Sequence, residues 1–178
     1  MKLVILDRDG VINYDSDNYI KTVDEWQPIP GSIEAIAELC KAGFEVCIAT
    51  NQSGLARGYF SPETLSAMHV KMTSLVTAAG GSIKHIEHCP HGPDDSCNCR
   101  KPLPGMITDI LSKHPDTAPE SVYVVGDSLR DLEAGVSAGC KTLLVKTGKG
   151  ERTLLKGNLP NGTVICDNLS SAVKTITG

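Results

Sequence analysis

Leu3-Val4-Ile5-Leu6-Asp7-Arg8-Asp9-Gly10, near the start of the chain, is an apolar run that ends in two carboxylates and a glycine. The run is too short for a helix and is typical of a buried parallel strand. Ligands of open α/β sheets bind at the carboxyl ends of the strands, so Asp7 and Asp9 are expected at the functional edge. Side chains two apart in an extended backbone share a side, and two such carboxylates repel unless a cation or a proton intervenes. The alternative is a solvated acidic turn at an Asp-Gly corner.

The rest of the chain alternates short apolar runs with helical patterns. Ser32 and Ser61 are predicted N-caps, with Pro62 at the first position of the second helix. Further helices are predicted from Pro104-Gly105, around Leu132 and over 169–176; strands are predicted over 44–49, 83–87, 122–125, 142–145 and 164–165, and a loop over 147–150. Repeated βα units predict a doubly wound, mostly parallel, Rossmann-like α/β sheet with helices on both faces.

The totals limit the class of protein. With 178 residues, the chain is long enough for one domain, which we expect to span 1–178 without a separate cap domain. The net charge of −4 argues against non-specific binding to nucleic acid or to a membrane, and neither is an expected partner. There is no secretory pattern and no run of membrane-spanning length, so we expect a cytoplasmic protein, and a monomer.

Four polar clusters follow four of the predicted strands: Asp7 with Asp9, the segment Thr50-Asn51-Gln52-Ser53, the pair Arg100-Lys101, and Asp127. In a parallel sheet these clusters converge on one edge. Carboxylates suit Mg²⁺, which keeps waters and binds substrate phosphate, while lysine supplies a point charge for phosphoryl oxygens. The sequence therefore predicts a site for a divalent cation and a phosphate.

The seven cysteines fall into two groups. Cys89, Cys97 and Cys99 cluster with His91 in a polar loop, and three thiolates with one imidazole suit a closed, structural Zn²⁺ site. The alternative is a loop of reduced thiols. The other four lie in apolar patterns and are predicted core thiols: Cys40, Cys47, Cys140 and Cys166.

The ordered set Asp7-x-Asp9-Gly10, Thr50, Lys101 and Gly126-Asp127 resembles the haloacid-dehalogenase-like phosphatases. The resemblance implies that Asp7 is the nucleophile and that Asp9 transfers protons. It further implies that Thr50 orients the phosphoryl group, that Lys101 compensates charge, and that Asp7, the Asp9 carbonyl and Asp127 hold Mg²⁺. Asp131 is interpreted as a first-turn helix acid, with a supporting role behind the residues of the site as the alternative, and Arg8 is expected to point away from the site.

Two subgroups with such a metal loop are similar to this chain. The segments 50–58 and 99–106 resemble phosphatases of a heptose 1,7-bisphosphate in lipopolysaccharide or S-layer precursor synthesis. The short spacing from His91 to Cys97 instead resembles histidinol-phosphate phosphatases, which are the alternative. The first resemblance implies a small sugar bisphosphate as the bound partner. Its predicted contacts are Asp15, Ser16, Asp17, Asn18, Asn51, Gln52, Ser53, Arg57, Arg100 and Lys101, with Arg130, Lys146 and Lys149 as further cations on loops at that edge.

Overall fold

A computed structural model describes residues 2–178 and places a six-stranded parallel sheet at the centre. The strands are β1 (Lys2–Leu6), β2 (Phe44–Asn51), β3 (His85–Cys89), β4 (Tyr123–Gly126), β5 (Lys141–Val145) and β6 (Val164–Cys166). Their order across the sheet is β3-β2-β1-β4-β5-β6, with every neighbouring pair parallel. This topology confirms the predicted α/β fold.

Helices cover both faces of the sheet. They are α1 (Ser32–Lys41), α2 (Pro62–Ala78), α3 (Gly105–Ser112), α4 (Leu129–Ser137), α5 (Gly150–Lys156) and α6 (Leu169–Thr177), with a 3₁₀ turn over Pro119–Ser121. Val4 and Leu6 pack in a core with α1, α2 and α6, whereas Leu3 and Ile5 pack in a second core with α3 and α4. Because β1 is buried on both faces, its apolar run is continuous rather than alternating.

The helix starts test the predicted caps. Ser61 is the N-cap of α2, where its hydroxyl accepts from Thr64 N at 3.1 Å, and Pro62 occupies the first helical position, as predicted. The prediction for Ser32 was wrong, since α1 begins at Ser32 itself and Gly31 is the N-cap, with φ 86°. The Ser32 hydroxyl instead donates to the carbonyls of Ile12 and Ile29, at 2.6 and 2.8 Å. It therefore ties the long β1–α1 segment to the helix.

Each of the five strand ranges predicted after the first differs from the observed strand by one or two residues at one or both ends, and two element boundaries have a clear structural reason. The third strand runs over His85–Cys89 rather than 83–87, because its register on β2 pairs Asn51 with Cys89. A loop was expected over 147–150, but α5 already begins at Gly150. A side chain at Gly150 would collide with the Val145 carbonyl, so the glycine marks a close approach to β5 rather than a loop.

No helix within residues 2–178 combines the length and the apolar character that crossing a bilayer requires.

Candidate active site

A pocket of about 200 Å³ lies at the carboxyl end of the sheet. It is lined by predicted site residues, namely Asp7, Asp9, Asp15, Ser16, Asp17, Asn51, Gln52, Ser53, Arg100, Lys101 and Asp127, and also by Tyr19, Ile20, Arg130, Asp131 and Lys149. Asn18 and Arg57 are exposed and are not among the lining residues. Thr50 lies buried behind the pocket, where its hydroxyl accepts from Gln52 Nε2 at 2.8 Å.

Lys101 is the buried cation of the site. Its ammonium contacts Asp7 Oδ1 at 3.1 Å, Asp131 Oδ1 at 2.6 Å and the carbonyl of Ala49 at 2.7 Å, so all three N–H groups have acceptors. Burial opposes the charge, but the two carboxylates outweigh burial and raise the pKa of Lys101. Asn51 fixes the Lys101 backbone from both sides, at 3.0 and 3.2 Å. Lys101 is therefore charged and held next to Asp7.

The structure corrects the interpretation of Asp131 as a simple first-turn acid. One of its oxygens pairs with Lys101, while the other accepts from Ser128 N and Oγ and from Asp127 N, at 3.0–3.2 Å. Burial opposes ionisation of Asp131, but Lys101 and Ser128 outweigh it and lower its pKa. The capping-box pattern Ser128-x-x-Asp131 was the sequence signal for this arrangement. Because both oxygens are occupied, Asp131 anchors Lys101.

Asp7 and Asp127 form the anionic centre. Carboxylate oxygens of Asp7, Asp127 and Asp131 lie within 4.8 Å of one another. Burial, followed by repulsion from Asp131, raises the pKa of Asp7 to about 7 and that of Asp127 to about 9. Carboxylates this close in a buried site require a cation to ionise together, and oxygen ligands match Mg²⁺. The donor set therefore fits a magnesium ion bound by Asp7 and Asp127.

Gly10 and Gly148 enclose the Asp127 carboxylate. A side chain at either position would collide with Asp127 Oδ2, and both residues have positive φ, 85° and 56°. The backbone N–H of Lys149 also donates to this oxygen at 2.8 Å. Close backbone approach of this kind requires glycine, so the Asp-Gly corner in the first stretch is part of the site and not a solvated turn.

Asp9 is held by donors from three side chains. Oδ1 accepts from Arg8 Nη2 and Nε, at 2.8 and 3.2 Å, and from Asn13 Nδ2 at 2.8 Å. Oδ2 accepts from Gln52 Nε2 at 2.9 Å. Burial opposes ionisation of Asp9, but these donors, first of all the Arg8 guanidinium, outweigh it and lower its pKa. Arg8 does not line the pocket, as expected, but its side chain is 1% exposed and pairs with Asp9, which was not predicted.

The predicted zinc ligands lie together at the end of β3. Ligand atoms of Cys89, His91, Cys97 and Cys99 are all within 4.8 Å of one another. The sulfurs of Cys89 and Cys99 lie 3.0 Å apart, and His91 Nδ1 lies 3.4–3.5 Å from both. Such a set of three thiols and one imidazole could hold a tetrahedral zinc ion.

The cationic wall of the pocket adjoins this cluster. Arg100 donates from Nη1 to the carbonyl of His91 at 3.2 Å, and burial together with the neighbouring Arg130 lowers its pKa. Across the pocket, Lys149 lies 3.5 Å from Asp15. Lys146 instead lies 3.5 Å from Asp167 and is not among the lining residues. The predicted set of cations is thus reduced to Arg100, Arg130 and Lys149.

One lining residue, Tyr19, was not among the predicted contacts. It lies in the left-handed region, with φ 66°, and its ring packs edge-on against Tyr59 with centroids 5.0 Å apart. The guanidinium of Arg57 lies 5.9 Å from the Tyr19 ring, so Arg57 supports the pocket wall from outside.

Comparisons with known proteins agree with this geometry. A family model described as HAD-hydrolase-like matches residues 98–172. The D-glycero-beta-D-manno-heptose-1,7-bisphosphate 7-phosphatase of Pseudomonas putida is 57% identical over 176 residues, which cover 99% of both chains. The crystal structure of the D,D-heptose 1,7-bisphosphate phosphatase from B. bronchiseptica, complexed with magnesium and phosphate, matches with a TM-score of 0.96 and 53% identity, covering 99% of this chain and 98% of the other. On this evidence the chain belongs to the haloacid-dehalogenase-like hydrolases, which confirms the family resemblance seen in its sequence.

Proposed function

We propose that this protein is a magnesium-dependent phosphatase that removes the C7 phosphate of D-glycero-β-D-manno-heptose 1,7-bisphosphate. The observation that carries the proposal is the pairing of Asp7 with the buried Lys101, next to Asp9, in a pocket with an arginine wall. The full-length relatives named for this reaction support the substrate and the anomer.

In the first half of the reaction, a carboxylate oxygen of Asp7 attacks phosphorus and the bond from phosphorus to the C7 oxygen breaks. The pKa of Asp9 is lowered in the substrate-free protein, so Asp9 must take up a proton when the phosphate dianion binds; it then donates that proton to the departing oxygen, which leaves as an alcohol. A magnesium ion bound by Asp7, the Asp9 carbonyl and Asp127 would neutralise phosphoryl charge and help Asp7 to ionise. Lys101 adds positive charge beside the nucleophile, and Thr50, through Gln52, holds the phosphoryl side of the pocket.

In the second half, water attacks the phosphorus of the aspartyl-phosphate. Asp9, now ionised, takes one proton of that water. The bond from phosphorus to Asp7 breaks, which regenerates the Asp7 carboxylate and releases inorganic phosphate. Each residue returns to its starting state, and the net reaction consumes one water.

The second phosphate of the substrate needs its own cations. We assign it to Arg100 and Arg130, which line the pocket next to each other. Arginine binds phosphate through a planar fork of donors. Zinc bound by Cys89, His91, Cys97 and Cys99 would hold the loop whose His91 carbonyl orients Arg100. We assign the sugar hydroxyls to the acidic segment Asp15, Ser16 and Asp17, which also lines the pocket.

A comparison of kcat/KM for the heptose 1,7-bisphosphate and for histidinol phosphate tests the substrate. We expect a preference for the bisphosphate, because a pocket walled by arginines suits an anionic group better than the cationic groups of histidinol phosphate. A preference for histidinol phosphate would overturn the substrate while leaving the chemistry of Asp7 in place. The cytoplasmic location and the monomeric state stay predictions.

A further inference from the structure

Arg8 lies between the two aspartates in the sequence, and its guanidinium contacts the side chains of three other residues. Its guanidinium is buried and is absent from the pocket lining. Nε and Nη2 both donate to Asp9 Oδ1, while Nη1 lies 3.2 Å from His69 Nε2 and 3.8 Å from Met68 Sδ, both on α2. A buried guanidinium that points away from substrate must act on its neighbours.

The contacts make the two oxygens of Asp9 inequivalent. Oδ1 receives three N–H groups, two from Arg8 and one from Asn13, so its lone pairs are fully used. Oδ2 receives a single donor, from Gln52, and keeps a lone pair free. Only Oδ2 can therefore carry the proton that passes to a leaving group or comes from water.

His69 completes the arrangement on the side away from Asp9. Arginine has donors only, so His69 Nε2 accepts from Arg8 Nη1 and the imidazole is neutral, with its proton on Nδ1. An acceptor at this point fixes the rotation of the guanidinium, which in turn fixes the Asp9 carboxylate. Helix α2, which carries His69, is thereby connected through Arg8 to Asp9.

We propose that Arg8 and His69 are positioning residues that lock Asp9 Oδ1 and so present Oδ2 for proton transfer. This inference rests on the proposed function, since it assumes that Asp9 serves as the acid and base of a phosphatase. Neither Arg8 nor His69 lines the pocket, so both act through Asp9.

The test uses two substrates that differ in their need for a proton. An alkoxide leaving group, as in the heptose bisphosphate, must be protonated, whereas p-nitrophenolate leaves without help. General acid catalysis contributes about 10²- to 10⁴-fold, so we expect Arg8→Met to lower kcat/KM for the heptose bisphosphate by about 10²-fold. For p-nitrophenyl phosphate the loss should stay within about threefold, because kcat/KM reports only the step that expels the leaving group.

Variants of His69 separate positioning from folding. His69→Leu should shift the ratio of the two kcat/KM values in the same direction by a smaller factor, and His69→Gln, which keeps an acceptor, should restore it. His114→Leu is the matched control, since it removes another buried histidine, paired with Glu45 at 2.7 Å on the far side of the sheet, and should leave the ratio unchanged.

Equal losses on both substrates in Arg8→Met, or no loss on either, would overturn the proposed positioning role. So would a ratio in His69→Leu that equals that of the wild type. A wild-type protein that cleaves p-nitrophenyl phosphate but not the heptose bisphosphate would instead overturn the proposed substrate. The ratio in Arg8→Met would then be measured with an alkyl phosphate that the wild type does cleave.

Discussion

At the scale of single residues, four carboxylates in one crevice differ because their neighbours differ. Asp131 and Asp9 receive cationic and N–H donors that outweigh burial, so their pKa values are lowered. For Asp7 and Asp127, burial and then repulsion from Asp131 outweigh the favourable contacts, so their pKa values are raised. Environments that push the pKa values of neighbouring acids apart separate their chemical roles. Asp7 and Asp127, whose pKa values are raised, need a cation to ionise together. Of the two acids with lowered pKa values, Asp131 positions Lys101, and Asp9 is the group proposed to transfer protons.

The nucleophile assignment predicts the outcome of Asp7→Asn. The amide keeps the size of the side chain and an oxygen that can accept from Lys101, but it cannot form the acyl phosphate. Loss of a nucleophile costs orders of magnitude in kcat, so we expect kcat to fall by about 10⁴-fold or more, as measured by phosphate release. Asp24→Asn, at an exposed position of the β1–α1 segment, is the control and should match the wild type. Turnover of Asp7→Asn near the wild-type rate would remove Asp7 from its role.

The raised pKa values of Asp7 and Asp127 predict how magnesium stabilises the protein. Without metal, each group binds its proton in the folded state up to about pH 7 or 9, whereas the unfolded chain releases it near pH 4. Stability contributed by these groups therefore falls as pH rises from about 4 to 9. Magnesium removes this penalty, so the gain in Tm on adding MgCl₂ should grow between pH 5 and pH 9. The wild type and Asp127→Asn are compared by thermal unfolding in metal-free and magnesium buffers; a gain independent of pH in the wild type would contradict the prediction.

At the level of single helices, strands and loops, the features that could be predicted are those that depend on residues close together in the sequence. The zinc-ligand spacing and the cap at Ser61 could be read from the sequence because each depends on residues close along the chain. The role of Ser32 could not, because its hydroxyl reaches Ile12, twenty residues earlier. The register of β3 likewise depends on pairing with β2, and the weak apolar pattern of this strand does not define its ends.

Disrupting the loop with the predicted zinc ligands should weaken substrate binding more than it slows the chemical step. Cys97→Ser should lower the zinc content and loosen the His91 carbonyl that orients Arg100. Losses of about 10- to 100-fold are typical when support around a metal site is removed, and we expect KM for the heptose bisphosphate to rise by about tenfold. The turnover number should change less, because Asn51 and Asp131 hold Lys101 independently.

Metal analysis and steady-state kinetics on the same preparations measure both effects. Cys40→Ser serves as the matched control, since Cys40 lies away from the cluster and its thiol donates to the Ser82 carbonyl, as a hydroxyl also would. Stoichiometric zinc with an unchanged KM in Cys97→Ser would refute the link between the loop and Arg100. A wild-type protein without zinc would refute the metal site itself.

At the scale of the whole molecule, the fold was predictable because it depends on periodicity. The continuous apolar run in β1 and the alternation of βα units specify a parallel sheet, and the sheet brings distant polar clusters to one edge. The orientation of the Arg8 side chain does not follow from periodicity. The pattern places it between two site residues, but only packing against Met68 and His69 on α2 directs its guanidinium to Asp9. A buried ion pair between neighbours in sequence leaves no periodic signal.

The two cores share β1, and this predicts that the chain unfolds as one unit. Trp26, the single tryptophan, is buried in the core with α1, α2 and α6, whereas far-ultraviolet circular dichroism reports on all elements. Urea unfolding at constant free zinc should give coincident transitions by both probes. Leu6→Ala and Ile5→Ala each remove three buried carbon atoms, from opposite cores. Each should lower the free energy of unfolding by about 2–5 kcal/mol while the probes still coincide. Val70→Ala, at an exposed position of α2, should change it by less than about 0.5 kcal/mol. If Ile5→Ala shifted only the circular dichroism transition, the two faces would unfold separately and the single-domain prediction would be wrong.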